Sequence, residues 1–404
     1  MEGETSWVSH CFNNSNDNTE FDSSTHPKDD DEPDLESEAV SIDLILPDDL
    51  LERILTHLPI ASVFRAGSVS KRWNEIVTSK RFIGNISRVS PQKPWYFMFT
   101  SSDEPVGYSY DPGLRKWYNI DIPCIETSNL FISSSYGLVC FMDKDSRGGL
   151  FVCNPITKYR RWLYRPPGPK RPDYSSLAIS VDLETRNYKV SIVKCREIPG
   201  SFFQWDLSIH VYDSRDTTWT TSLNEILTGW RAGDESVICD GVLYFLIYAT
   251  GGGDSRHGLL AYDLKARSAR GLLMKSFVPV PCSLTCGRLM NLKERLVMVG
   301  GIGKHDRAGI IKGIGIWALD GKEWREMARV PTKYFQGFGE LDDVFASGGT
   351  DDLIYIHSYG SPALLIFDVG LKRWKWSSKC PVTKKFPLQL FTGFCFEPRP
   401  EVAP

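Results

Sequence analysis

The stretches of this 404-residue sequence best able to do chemistry are short glycine, cysteine and histidine motifs. Gly313-Ile314-Gly315-Ile316-Trp317-Ala318 has the G-x-G-x-x-A spacing of a dinucleotide loop. It lies inside an alternating β pattern that ends at Asp320-Gly321, with no helix behind it to hold a pyrophosphate, so no cofactor is expected there. Gly303-Lys304 carries the glycine-lysine pair of a phosphate loop, but His305 stands where Ser or Thr is required and Met298 where the first Gly is required. Cys282 and Cys286 are spaced C-x-x-x-C without a second Cys or His pair at zinc spacing, which predicts core thiols and no metal site. None of the seven His residues falls in an H-E-x-x-H arrangement, and His305-Asp306 reads as an exposed loop pair rather than a catalytic dyad. No catalytic residue is assigned, and the chain is expected not to be an enzyme.

The elements that surround these motifs are mainly β. Hydrophobic residues make up 42% and charged residues 24% of the chain, which excludes a fibrous or wholly disordered protein. Aromatics are abundant, with 12 Trp, 16 Tyr and 21 Phe, and 33 Gly and 24 Pro accompany them. Short strands, tight turns and flat side chains packed between sheets follow from that mixture. The net charge of −3 is unevenly spread: residues 1–40 carry −11 and residues 41–404 carry +8. With few apolar groups to offset ordering, residues 1–40 are expected to form a disordered acidic tail.

No secretory signal or lipid anchor is read in the sequence, and the longest apolar stretch, Val242 to Tyr248, is far too short to cross a bilayer. A soluble, intracellular protein is expected, in the nucleus, the cytoplasm or both, with no membrane partner. The ten cysteines fall mostly in apolar runs, which suits buried thiols in a reducing compartment. The charge of +8 is dilute, and despite Arg160-Arg161 and Lys384-Lys385 no basic stripe with stacking aromatics stands out, so a nucleic-acid partner is not expected. The excess charge reads instead as an aid to capturing an acidic protein.

Helical spacing begins after the acidic tail. Leu51, Ile54, Leu55 and Leu58 recur at i, i+3, i+4 and i+7; Pro47 suits a first turn, and Asp48 and Asp49 complement the positive helix end. Pro59 ends this helix. A second is expected near Ile60 to Ala66 and a third from Val69 to Val77, with Val69, Trp73, Ile76 and Val77 on one apolar face. Three helices in about 40 residues are near the lower limit for a domain without metal, disulfide or partner, so part of their apolar surface is expected to be a docking face.

The segment Leu46 to Phe82, with Leu46-Pro47, Ile54-Leu55, Leu58-Pro59, Val69-Ser70-Lys71, Trp73 and Phe82, resembles the F-box. That resemblance implies docking on a Skp-type adaptor and, through it, on a cullin-RING ubiquitin ligase, the rest of the chain holding a target protein. It also implies that Leu46, Pro47, Leu51, Ile54, Leu55, Leu58 and Pro59 form the adaptor-facing ridge, while Val69 and Trp73 knit the helices together. The expected organisation is a tail over residues 1–40, an F-box over 41–85 and a second domain over 92–400.

The second domain is repetitive. Each copy has an apolar strand, an acidic or amide residue at a turn, and usually a Trp about six residues later: Tyr110-Asp111 with Trp117, Cys153-Asn154 with Trp162, Tyr212-Asp213 with Trp219, Tyr262-Asp263 without a Trp, Trp317-Ala318 with Trp324, and Phe367-Asp368 with Trp374. The intervals of 43, 59, 50, 55 and 50 residues average about 51. That period is similar to kelch repeats, each a four-stranded blade of roughly 50 residues, and six copies imply a six-bladed kelch-type β-propeller. The very apolar runs Trp95 to Phe99, Leu138 to Met142, Val190 to Val193, Val242 to Tyr248, Leu296 to Val299 and Leu353 to Ile356 are expected near the axis. The pairs Gly251-Gly252, Gly300-Gly301 and Gly348-Gly349 resemble the kelch double glycine. Phe386 to Phe396 is expected to pair with the first blade and close the ring.

The whole resembles the plant F-box/kelch-repeat proteins. What that implies is a non-catalytic substrate-recognition subunit of an SCF-type E3 ubiquitin ligase, acting in plant growth and organ development. The alternatives are a propeller enzyme, which needs convergent carboxylates, Arg or metal ligands at the channel, and an interaction scaffold that causes no degradation.

Overall fold

The structure is a computed structural model that describes residues 46–89, 92–100, 105–120, 122, 125, 129–144, 149–169, 172–251, 257–265, 273–303, 311–338, 345–382 and 390–404. The acidic tail, His305-Asp306, Lys384-Lys385, Cys11 and Cys124 lie outside the described residues. The chain divides into two compact units, Met1–Pro91 and Gln92–Pro404.

The first unit is helical and has one more helix than the sequence reading expected. Its helices are α1 (Asp48–Thr56), α2 (Ile60–Gly67), α3 (Lys71–Thr78) and α4 (Lys80–Val89). Pro47 and Pro59 occupy the N-cap positions of α1 and α2 in extended conformation, which satisfies their fixed φ at a point where a missing N–H costs nothing. Ser70 caps α3 by accepting the Trp73 N–H at 3.2 Å, and the Ser79 hydroxyl accepts the Phe82 N–H at 3.2 Å at the start of α4. Phe82 therefore opens a helix instead of closing the unit: Phe82 and Ile86, four residues apart, are both buried on its inner face.

In the second unit the described residues form six four-stranded antiparallel sheets. Blades two to six are each built from consecutive strands. Blade one combines Trp95–Thr100, Gly107–Asp111 and Lys116–Asn119 with the last strand of the chain, Phe391–Phe396, which pairs with Trp95–Thr100 from Trp95↔Phe396 to Thr100↔Phe391. The expected closure by the C-terminal segment is thus present, and it leaves no blade short of a strand.

The innermost strands are Phe391–Phe396, Leu130–Ser135, Tyr174–Val181, Trp230–Cys239, Leu284–Leu292 and Phe345–Thr350, each in contact with its neighbour round the ring. The apolar runs assigned to the axis lie one place further out, in the second strands of the blades. A second strand is paired on both edges and packed on both faces, as the fully buried Leu353–Ser358 shows. An innermost strand keeps one edge towards the channel and therefore needs polar groups. Ser133 and Ser135 of blade two accept the Ile179 and Val181 N–H groups of blade three at 3.2 and 3.1 Å, and Ser134 donates to the Cys395 carbonyl of blade one at 2.5 Å.

The repeat signature marks the turn between the third and fourth strands. Asp111 Oδ1 accepts the N–H groups of Gly113 and Leu114, and Asn154, Asp213, Asp263 and Asp368 make equivalent turns. In blade five the equivalent pair is Leu319-Asp320 rather than Trp317-Ala318, because Leu319 faces Trp324 and the turn shrinks to Gly321-Lys322, with Gly321 at φ +63°. Trp317 instead folds over Gly315, where a Cβ would sit 2.3 Å from its ring, so Gly315 serves packing within a strand, while a Cβ at Gly313 would meet nothing within 4 Å. Gly300-Gly301 lies on a second strand and Gly348-Gly349 on an innermost one, so these two pairs are not equivalent positions of the repeat. Gly252 is outside the described residues.

The signature Trp residues join blades. Trp117, Trp219 and Trp324 each donate the indole N–H at 2.9 Å to a carbonyl of the preceding blade, at Ser378, Tyr164 and Pro279 respectively. Blade four, whose copy lacks the Trp, has the shortest outer strand, Val278–Pro279.

Candidate functional site

The helical unit holds the residues expected to face an adaptor, and the structure sorts them into two groups. Leu51 and Leu55 are buried, at 2% and 1% exposure, and belong to the core of the unit. Four residues apart on α1, they turn the same side inward, so a docking role for them is set aside in favour of packing. Ile54 is 52% exposed, Pro47 is exposed, and Leu46, Leu58 and Pro59 are half-buried. Leu50, one turn before Ile54, is also exposed, as is Val69 at 61%. Val69 was expected to knit the helices and does not; Trp73 is half-buried.

The accessible apolar side chains of the unit are therefore Pro47, Leu50, Ile54 and Val69, with Leu46, Leu58 and Pro59 partly accessible. Leu50 was missed because the inward stripe of α1 satisfied the helical period by itself; the Leu50 to Ile54 spacing of four was the available signal. Polar contacts fix the start of α1: the Arg72 guanidinium on α3 donates to the Leu46 carbonyl at 2.5 Å and to Asp48 Oδ1 at 2.7 Å. Arg81 on α4 pairs with Glu52 at 3.2 Å.

In the propeller one largely buried ion pair reaches across three blades. Arg288, on the innermost strand of blade five, donates to Glu235 Oε1 of blade four at 2.5 Å, and to the Phe345 carbonyl and Tyr359 hydroxyl of blade six at 3.1 and 2.9 Å. The Leu289 N–H occupies the second oxygen of Glu235 at 3.3 Å. Burial pushes the Glu235 carboxyl up, against the pull of the adjacent guanidinium. The pair sits near the channel, where a propeller enzyme would place its groups, but its hydrogen bonds run to neighbouring strands and hold blades together.

A cavity of about 420 Å³ lies in blade three, beside Asp206, Ser208, His210, Thr221 and Asn224. Both His210 ring nitrogens are engaged, with Thr221 at 3.1 Å and Ser208 at 3.0 Å, and burial followed by the nearby Lys194 charge pushes the imidazole down to about 4. Burial keeps that ring neutral, and both its nitrogens serve structural bonds. Among the described residues no group of three or more His, Cys, Asp or Glu could hold a metal ion, and no helix is long and apolar enough to cross a membrane. Cys282 and Cys286 are half-buried, and the eight described cysteines form no disulfide.

Comparison with known proteins agrees with this geometry. The F-box domain family matches residues 44–84, and the F-box associated beta propeller domain family matches residues 120–301. An F-box/kelch-repeat protein of Arabidopsis thaliana is 62% identical over the full length of both chains. The chain belongs to the plant F-box/kelch-repeat protein family. More distant relatives of this F-box/kelch-repeat protein include F-box only protein 6 of Arabidopsis thaliana, 26% identical over 88% of this chain and 73% of the relative. Protein UNUSUAL FLORAL ORGANS of the same plant is 23% identical over 83% of this chain and 78% of its own.

Proposed function

We propose that this chain is the substrate-recognition subunit of an SCF-type E3 ubiquitin ligase, non-catalytic in itself. The observation that carries this is the F-box match over the helices whose outer face leaves Pro47, Leu50, Ile54 and Val69 uncovered. Exposed apolar side chains cost solvation free energy, about 25 cal/mol per Å² of apolar area, which docking on a Skp-type adaptor recovers. Leu46, Leu58 and Pro59 complete the docking ridge, and Leu51 and Leu55 support it from beneath. The propeller binds the target protein and brings its lysines to the charged E2 enzyme, so that proximity supplies the acceleration. Family resemblance supports a place for this activity in plant growth and organ development, in the nucleus, the cytoplasm or both. The domain limits fitting this reading are 41–85 for the F-box and 92–400 for the propeller.

The test is co-purification of the full chain with a recombinant plant Skp-type adaptor, beside the variant Leu50→Asp with Ile54→Asp. Capture by the natural chain and a loss of roughly 100-fold in the variant, at unchanged thermal stability, is the expected result. No capture by a natural chain with a cooperative unfolding transition refutes the proposal.

A further inference from the structure

The outer edge of blade two differs from its counterparts. Its outermost strand is Arg160–Leu163, and the sequence around it reads Lys158-Tyr159-Arg160-Arg161-Trp162-Leu163-Tyr164-Arg165. Residues 155–172 contain six Lys or Arg and no Asp or Glu. Three aromatics in this run point outward: Tyr159 is 68% exposed, Trp162 55% and Tyr164 80%. The signature Trp residues of blades one, three, five and six are half-buried, so exposure of Trp162 is not a requirement of the repeat. Its ring packs tilted against Phe151 at 5.0 Å between centroids, with the Arg160 guanidinium over the ring at 5.8 Å from its centroid, and still stays more than half exposed. The sequence alone showed no basic stripe with aromatics; the strand pleat turns Arg160 and Trp162 to a single face, and the exposed Tyr164 follows directly after the strand.

We propose that this strip, Lys158 to Arg165, is a docking site for an extended acidic segment of the target protein. The proposal rests on the receptor function above and deepens it by giving the partner's chemistry. Arg160 and Trp162 are spaced about 7 Å apart along the strand, the same spacing as alternate side chains of an extended peptide, and Tyr164 extends the row just past its end. Carboxylates at alternate positions meet Arg160 as charge-assisted hydrogen bonds, and the exposed Arg165 just beyond the strand adds to the positive field. Trp, Tyr and Arg are also the side chains that dominate binding hot spots, because they bury large area with little loss of rotamer freedom. Charge complementarity supplies the direction: a segment with net negative charge is attracted to a patch without a single acid in its own stretch of chain.

The experiment measures fluorescence anisotropy of a labelled ten-residue peptide alternating glutamate and threonine, with the full chain as receptor, and a peptide with glutamine replacing glutamate as control. Adaptor capture is measured on the same preparation. The expected result is saturable binding of the acidic peptide and little of the control. Arg160→Glu with Arg165→Glu, and separately Trp162→Ser with Tyr164→Ser, weaken binding about tenfold or more. Lys372→Glu with Lys379→Glu on blade six, an equal charge change elsewhere, leaves it within about twofold. If the doubly changed strip variants do not fold, Tyr164→Ala alone, at an exposed side chain, still weakens binding severalfold. Equal weakening by the blade-six variant, equal binding of the glutamine peptide, or tighter binding of a ten-nucleotide single-stranded RNA overturns the proposal. So does an affinity for the acidic peptide that rises tenfold when residues 1–40 are removed, which makes the chain's own acidic segment the occupant. Adaptor capture without peptide binding sinks the strip and spares the receptor function; absence of both sinks the function itself.

Discussion

Leu50, Ile54 and Val69 of the helical unit break the inside-outside rule by exposing apolar surface, while Arg288, Glu235 and His357 of the propeller break it by burying charge-capable groups. The two departures teach different things. Among the described residues of the helical unit Leu50, Ile54 and Val69 stay exposed, so their apolar surface points to a partner. Arg288 and Glu235 are satisfied within the fold, so their burial points to cohesion between blades rather than to chemistry. Position near a channel is therefore weaker evidence of function than an apolar side chain left in water.

Four measurements break or sharpen this comparison. The largest effect is expected from Arg288→Met, which strands the Glu235 carboxylate without its partner. Breaking a buried pair from one side costs about 3–5 kcal/mol of propeller stability, read as a shift of the urea midpoint, and adding Glu235→Gln recovers part of it. A shift under about 1 kcal/mol would show the three-blade contact to be dispensable.

Next, Leu51→Ala and Leu50→Ala separate core from ridge one residue apart. Leu51→Ala removes buried side-chain volume and lowers stability of the helical unit by about 2–5 kcal/mol. Leu50→Ala changes stability by less than about 0.5 kcal/mol but weakens adaptor capture. The reverse pattern would mean that α1 presents its other side.

His357 gives a pH signature. Its Nδ1 donates to the Ser358 carbonyl at 3.0 Å, and burial pushes the imidazole down to about 4, with Arg288 adding to the shift. Because the folded value lies below the unfolded one near 6.5, the contribution is complete above about pH 6.5 and is lost as pH falls through 4. The loss is about 3 kcal/mol in all. Denaturant midpoints at pH 7, 5.5 and 4 are expected to fall more steeply for the natural chain than for His357→Asn; parallel curves would remove His357 as a source of acid sensitivity.

The smallest effect belongs to Trp117→Phe, which keeps the ring against Tyr110 and deletes the bond to the Ser378 carbonyl. About 1 kcal/mol is expected in the same denaturation assay. No change would mean that packing alone joins blades six and one at that point.

Much of the architecture was written locally. The F-box segment could be recognised because its prolines, capping serine and apolar spacing act within a few residues of one another, and the propeller copies because Asp or Asn caps the same turn in five of the six. The fourth helix was present in the spacing of Phe82 and Ile86 but was masked by the end of the recognised motif. In blade five the shortened turn moved the pair by two residues, which a fixed spacing to Trp324 could not reveal. The docking ridge was only partly legible, since Leu51 and Leu55 share with Ile54 a single apolar period that is silent about which side meets other helices.

The sequence by itself determined where helices and strands start, turn and repeat, because those preferences depend on neighbours one to four residues away. Tertiary structure alone decided which apolar side of α1 stays in water, which strands line the channel, and that Trp162 opens outward while Trp117 reaches a carbonyl 261 positions along the chain. Burial is set by what packs against a residue, and in a closed ring the packing partner comes from another blade or, for Trp95–Thr100, from the opposite end of the propeller sequence.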